Sequence, residues 1–183
     1  MCGICGIFDP AGSQPDVVQA MLRTIIHRGP DDEGQYIAGA IGLGARRLSI
    51  IDVHGGRQPI HNEDASIWIV FNGEIYNYPY LRQMLEEAGH TFATQTDTEV
   101  IVHLYEEYGE QCVEHLSGMF AFAIWDARQQ KLLLARDRIG QKPLFYTHEG
   151  HKLLFCSEIK GLLAATRSEK AMDETALQYF LSL

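Results

Sequence analysis

Met119-Phe120-Ala121-Phe122-Ala123-Ile124-Trp125, then Lys131-Leu132-Leu133-Leu134-Ala135, then Leu144-Phe145-Tyr146, then Lys152-Leu153-Leu154-Phe155-Cys156: four short apolar runs follow one another with only turn-sized gaps between them. Runs this short and this rich in aromatic and aliphatic residues read as strands. Glu149-Gly150 supplies turn chemistry between the last two. Consecutive strands with no helix between them pair antiparallel, which excludes a doubly wound parallel sheet for this half of the chain.

Upstream the pattern is mixed. Gly3 to Phe8 reads as a buried strand, and residues 41–51 and 67–71 read as strands rich in branched side chains. Over residues 16–27, Val17, Val18, Met21, Leu22, Ile25 and Ile26 recur at helical spacing. A second helix begins at Asn77, carries Leu81, Met84, Leu85 and Ala88, and closes at Gly89; a third starts near Thr98 and stops at Gly109. Ser157 is expected to cap a short helix, Glu158–Leu163. Between the first helix and the strand at 41, Arg28-Gly29-Pro30-Asp31-Asp32-Glu33-Gly34 reads as a polar loop. The class is therefore α+β with antiparallel sheets. At the far end Asp173 looks like a helix cap, and Ala176, Leu177, Phe180 and Leu181 follow at helical spacing. The amphipathic pattern breaks off at Leu183 without a closing glycine, which is expected of a piece of a longer chain; the alternative is a C-terminal helix that docks and ends there.

The chain has 183 residues, enough for one domain with a large core. The formal net charge of -9 argues against nucleic acid or an anionic membrane as partner, because both call for basic surfaces. No apolar run reaches spanning length, and the N-terminus has neither a basic region nor a long apolar stretch. A cytoplasmic location is expected. Four cysteines in that compartment are not expected to form disulfides, and Cys112 and Cys156 lie in apolar stretches as buried small hydrophobes.

Cys2 stands apart. Removal of Met1 would leave a thiol and a free α-amine on one residue. With pKa values near ~8 for the amine and ~8.5 for the thiol, the amine can accept the thiol proton near neutral pH. The alternative is Cys2-Gly3-Ile4-Cys5 as a redox pair or half a zinc site; no second Cys-x-x-Cys exists, and His148 and His151 are the only further ligands it suggests. Asn72-Gly73 at the end of a strand is either a tight turn or an oxyanion hole made of a side-chain amide and a backbone N–H. Arg46 and Arg47 are adjacent on a strand, so at most one can reach a given site, as a salt bridge or as a carboxylate clamp. Asp97 is either a helix cap or a partner for an ammonium group.

Taken together, Cys2-Gly3-Ile4, Arg28-Gly29-Pro30-Asp31, Arg47-Leu48-Ser49-Ile50, Asn72-Gly73-Glu74 and Thr96-Asp97-Thr98-Glu99 resemble the N-terminal glutaminase domain of the class II glutamine amidotransferases, which are N-terminal-nucleophile hydrolases. Gly118-Met119-Phe120-Ala121-Phe122-Ala123, Ala135-Arg136-Asp137-Arg138-Ile139-Gly140 and Ser157-Glu158-Ile159-Lys160 place the resemblance in the asparagine synthetase branch. It covers Cys2 to about Leu163. The resemblance implies a four-layer αββα sandwich of two antiparallel sheets flanked by helices, with residues 2–165 as the amidotransferase domain and 166–183 as the start of the connection to a synthetase domain.

It further implies that Cys2 is the nucleophile and that Asn72 and Gly73 form the oxyanion hole. L-glutamine would be held by Arg47, Leu48, Ser49, Ile50, Ile51, Glu74 and Asp97, and Arg28, Gly29, Pro30 and Asp31 would cover the site. No cofactor or metal is expected in this domain; ATP and Mg2+ belong by implication to the synthetase domain, whose Ser-Gly-Gly-x-Asp-Ser loop does not occur in these 183 residues. A homodimer is compatible with the resemblance. If Met1 is retained, the chain is expected to be catalytically silent.

Overall fold

A computed structural model describes residues 2–48, 55–166 and 172–182. The chain forms β1 (Gly3–Phe8), α1 (Pro15–Thr24), β2 (Asp32–Ala38), β3 (Ile41–Arg47), β4 (Ile60–His61), β5 (Ile67–Ile75), α2 (Tyr78–Glu87), α3 (Asp97–Tyr108), β6 (Gly118–Asp126), β7 (Lys131–Arg136), β8 (Phe145–Glu149), β9 (Lys152–Cys156), α4 (Ile159–Ala165) and α5 (Glu174–Leu181). One sheet has the order β2-β3-β1-β9-β8 and the other β4-β5-β6-β7, with every pairing antiparallel.

The two-residue period of the strands decides what each face packs against. Ile4 of β1, Ile41, Leu43 and Ala45 of β3, Val70 of β5, Ala121, Ala123 and Trp125 of β6 and Phe155 of β9 fill the space between the sheets. The alternate residues face outward. Cys5 and Ile7, with Leu154 and Cys156, pack against Val18, Met21 and Leu22 of α1 and Leu162 of α4. Ile69, Phe71 and Ile75 of β5 pack with Phe122 and Ile124 against Leu81 and Leu85 of α2 and Val100, Ile101 and Leu104 of α3. The result is the expected four-layer αββα sandwich. Gly6 faces the middle layer, where a Cβ would come within 2.5 Å of the Phe155 ring.

Several local expectations need correction. The polar loop after α1 ends at Asp31. Asp32–Ala38 is strand β2, whose one aromatic, Tyr36, stacks on Trp68 with ring centroids 3.9 Å apart. Its sequence, Asp-Glu-Gly-Gln-Tyr-Ile-Ala, is too polar at the start to read as a strand, because it lies at a sheet edge and no face is fully buried. Ser157 does not cap α4: its hydroxyl accepts from the Ile4 N–H, and Glu158 takes the cap position. The strand expected at 144–146 starts at Phe145 and runs to Glu149. Asp173 does cap α5, accepting from the Ala176 N–H, and Tyr179, Phe180 and Leu181 of that helix are exposed. No helix among the described residues is long and apolar enough to cross a membrane.

Glu158 ties the first-helix region to α4. Its carboxylate takes His27 Nε2 at 2.8 Å, Arg28 Nη1 at 3.1 Å and Lys160 Nζ at 3.1 Å. Burial works against its charge, but these three donors outweigh burial and bring its pKa down to about 2. A depressed carboxyl pKa contributes stability that is present above the unfolded value near ~4.3 and is lost as pH falls towards 2. With partners this close to solvent the contribution is roughly 1–2 kcal/mol. Glu158→Gln should therefore lower stability at pH 7 and flatten the loss between pH 4.5 and 2. Denaturant titrations across that range check it, and an unchanged acid limb would mean that other carboxylates set it.

Candidate active site

The inward-facing positions continue past the core at one end of the sandwich, and there they change from apolar to polar. Along β1 the even residues point inward, so Cys2 follows Ile4; along β3 the odd residues do, so Arg47 follows Ala45. The β1–β3 register begins with Gly3 opposite Arg46, so Cys2 and Arg47 are the next residues at that end of the two strands. In the facing sheet Asn72 and Glu74 follow Val70 on β5, and Met119 follows Ala121 on β6. Cys2, Arg47, Leu48, Asn72, Gly73, Glu74, Asp97 and Met119 all line one cavity of about 330 Å³, at the small end for a ligand pocket.

Cys2 is held by its backbone. Arg28 Nε donates to the Cys2 carbonyl at 3.0 Å while Nη1 of the same guanidinium rests on Glu158. The Cys2 thiol lies 3.9 Å from the Leu48 carbonyl. Cys5, an odd position, points the other way and is fully buried beneath α1, where burial raises its thiol pKa well above the ordinary value. The two thiols therefore lie on opposite faces of the sheet, which removes the Cys-x-x-Cys pair as a metal or redox unit. Cys112 and Cys156 are buried and free.

The parity of β3 also separates the two arginines. Arg46 faces outward and forms an ion pair with Glu33 of β2. Arg47 is buried and packs beside Gly56, where a Cβ would come within 2.5 Å of Nη2.

Asn72-Gly73 is not a turn: both residues sit within β5. The buried Asn72 Nδ2 has no hydrogen-bond partner among the described residues, although a buried amide donor ordinarily has one. Alternate residues of an antiparallel strand send their N–H groups to the same side. Phe71 N–H goes to Gln58 Oε1 at 2.7 Å and Ile75 N–H to Asp97 Oδ2 at 2.9 Å, both away from β6. Gly73 stands between them, so its N–H points the same way, into the cavity. A side chain there is excluded, since a Cβ would fall 2.3 Å from the Met119 carbonyl.

Asp97 is the first residue of α3 and is not its cap; Thr96 holds that position and makes no side-chain cap bond. Burial raises the Asp97 carboxyl pKa against the opposing bond from Ile75, and nearby Glu74 adds to the rise. A buried carboxylate with its charge penalised in this way is restored by a cationic partner. Glu99 completes the motif differently, accepting the Ala93 and Thr94 N–H groups at 2.7 Å each and the Thr94 hydroxyl.

Not every expected site residue joins the cavity. Ser49, Ile50 and Ile51 lie outside the described residues. Arg28, Gly29, Pro30 and Asp31 do not line it. Arg28 is a brace beneath Cys2, and Gly29 packs on the Arg46–Arg47 backbone so closely that a Cβ would fall 2.3 Å from it. The cavity also contains Gly56, Gln58 and Lys142, which the sequence did not single out, and Thr96, Thr98 and Met119, which stood in its motifs without an assigned role. Gln58 and Lys142 sit in stretches without periodicity, and only the β5–β6 register could have found Met119.

A family model described as a glutamine amidotransferase domain matches residues 1–183. Asparagine synthetase [glutamine-hydrolyzing] 1 of Bacillus subtilis is 44% identical over all of this chain and 29% of its own length. Asparagine synthetase [glutamine-hydrolyzing] 2 of the same organism is 48% identical over 90% of this chain and 22% of its own. The chain thus spans less than a third of the length of these relatives. Among solved structures, the glutamine phosphoribosylpyrophosphate amidotransferase of B. subtilis superposes with a TM-score of 0.75 at 21% identity, covering 90% of this chain and 43% of that one, which supports the sandwich fold. A match along the whole chain, on a sandwich of the same architecture, makes this chain a member of the glutamine amidotransferase domain family.

Proposed function

We propose that this chain is the glutaminase part of a glutamine-dependent asparagine synthetase, with Cys2 as nucleophile. The observation that carries the reading is the buried Asn72 amide, which has no hydrogen-bond partner among the described residues and lines the same cavity as Cys2 and Gly73. Once Met1 is removed, the α-amine of Cys2 takes the thiol proton, and the thiolate sulfur attacks the side-chain amide carbon of glutamine. The C–S bond forms, and the carbonyl oxygen becomes an oxyanion between Asn72 Nδ2 and the Gly73 N–H. The oxyanion collapses, the C–N bond breaks, and the amine passes its proton to the leaving nitrogen, which departs as ammonia. Water then attacks the γ-glutamyl thioester, releasing glutamate and regenerating the thiol.

The other end of the substrate is a zwitterion. Arg47 would hold its α-carboxylate through the guanidinium fork, and Asp97 and Glu74 its α-ammonium. The raised pKa of Asp97 fits this role, because an ammonium beside it recovers the charge that burial penalises. In the longer protein the ammonia would pass to a synthetase domain that amidates aspartate. ATP and Mg2+ would be held there. Which acid accepts the ammonia is decided by residues of that further domain.

Glutamate release should disappear in Cys2→Ala, and retained hydrolysis would remove Cys2 from the reaction. Asn72→Ala should lower kcat by ~10²–10³ with KM little changed, the cost of one oxyanion donor; an unchanged kcat would place the hole elsewhere. Arg47→Lys should raise KM about tenfold, because a point charge replaces a bidentate fork. If KM stays as it was, the α-carboxylate is held by another group.

A further inference from the structure

Away from the cavity, on the outer face of α3, four side chains converge whose polar atoms the proposed chemistry does not use. Glu63 follows β4, His90 follows α2, and His103 and Glu106 project from α3. One ligand-capable atom from each lies within 4.8 Å of all the others. The closest histidine–carboxylate approaches are 2.9 Å from His103 Nδ1 to Glu106 Oε2, 3.6 Å from His90 Nδ1 to Glu106 Oε2, 3.8 Å from His103 Nδ1 to Glu63 Oε2 and 3.9 Å from His90 Nδ1 to the other Glu63 oxygen, Oε1. Ligand atoms at ~2.0–2.1 Å from a tetrahedral zinc ion stand ~3.3 Å apart, within this spread.

The orientation of each group is the second observation. Both imidazoles turn Nδ1 to the shared space: His90 Nε2 meets Glu107 Oε1 at 3.0 Å, while the buried His103 Nε2 lies 3.7 Å from Glu99 Oε1 and has no hydrogen-bond partner among the described residues. A carboxylate behind a ligating histidine fixes the tautomer that leaves the inner nitrogen free to bind metal, and Glu107 stands so behind His90. The two inner carboxylates are braced as well. Thr91 N–H donates to Glu63 Oε1 at 3.0 Å, and Asn62 Nδ2 donates to Glu106 Oε1 at 2.7 Å. Four carboxylates around two imidazoles leave a surplus of negative charge, which a dication offsets. His103 is fully buried whereas Glu63 is partly exposed, so the space opens to solvent on one side.

The geometry points to a closed divalent transition-metal site of the zinc type, with Glu63, His90, His103 and Glu106 as its ligands. With four protein ligands it keeps no open position for substrate, so its role is structural. It would bind α3 to the segments that follow β4 and α2. His103 lies six residues along α3 from Asp97, or ~9 Å at 1.5 Å per residue, so the metal would steady the helix that carries Asp97 into the cavity.

The test uses the full chain carrying Cys2→Ala, so that an N-terminal thiol and amine do not compete for metal. The chelator-treated protein is dialysed against micromolar Zn2+, bound metal is counted, and Co2+ is titrated in parallel. One zinc per chain, the visible absorption of tetrahedral Co2+, and a rise in Tm with added zinc are expected. Glu107→Gln should weaken zinc binding by ~10–100-fold through the outer partner alone, and His90→Ala should weaken it at least as much. Circular dichroism confirms that each variant is folded. Failure to bind stoichiometric zinc, or equal affinity in His90→Ala, would overturn the site and leave the cluster as ion pairs between protonated histidines and glutamates.

Discussion

The pairing of β1 between β3 and β9 is the constraint on which the site depends. A chain terminus ordinarily frays, because it has bonds on one side only. Here the residue after Cys2 already belongs to a strand in the middle of a five-stranded sheet. Ser157 closes the ladder on the β9 side by exchanging bonds with Ile4 through its hydroxyl and its N–H. Arg28 reaches from the turn after α1 to the Cys2 carbonyl, and Glu158 holds that guanidinium from the far side. Cys2 is thus held by Arg28, and Arg28 in turn by a carboxylate more than a hundred residues further along the sequence.

The same period-two geometry makes one end of the hydrophobic core into the pocket. The strands do not bend to form a site. Their inward positions change character, from Ile4 to Cys2, from Ala45 to Arg47, from Val70 to Asn72 and from Ala121 to Met119. Rigid strands hold such groups more precisely than loops do. The remaining polar wall comes from α3, whose first residue is buried against β5.

Much of this was legible from the residues, and the limits have physical causes. Strands with a fully apolar face, such as β1, β5, β6 and β9, and helices with a clear stripe, such as α1 and α2, announce themselves. β2 does not, because an edge strand need bury neither face well, and β4 is two residues long. Period two dictates that Arg46 and Arg47 diverge, but only the register with β1 and β2 shows that Arg47 turns inward and Arg46 meets Glu33. Arg28 was expected above the pocket because a Gly-Pro segment follows it. Its position beneath Cys2 depends on Glu158, a partner that no local pattern reveals. The Glu63–His90–His103–Glu106 cluster was invisible for the same reason: its members come from three segments, and the Cys-x-x-Cys spacing that prompted the search for ligands lay elsewhere.

The pairing of β1 begins at Gly3, one residue inside Cys2. Folding and chemistry are therefore separable at the N-terminus. On the proposed chemistry, an affinity tag, a formyl group or a retained initiator turns the amine of Cys2 into an amide that can no longer carry a proton, yet every strand bond stays available. A preparation could be soluble, monodisperse and correctly folded while remaining inert, so fusion partners for this domain belong at its other end.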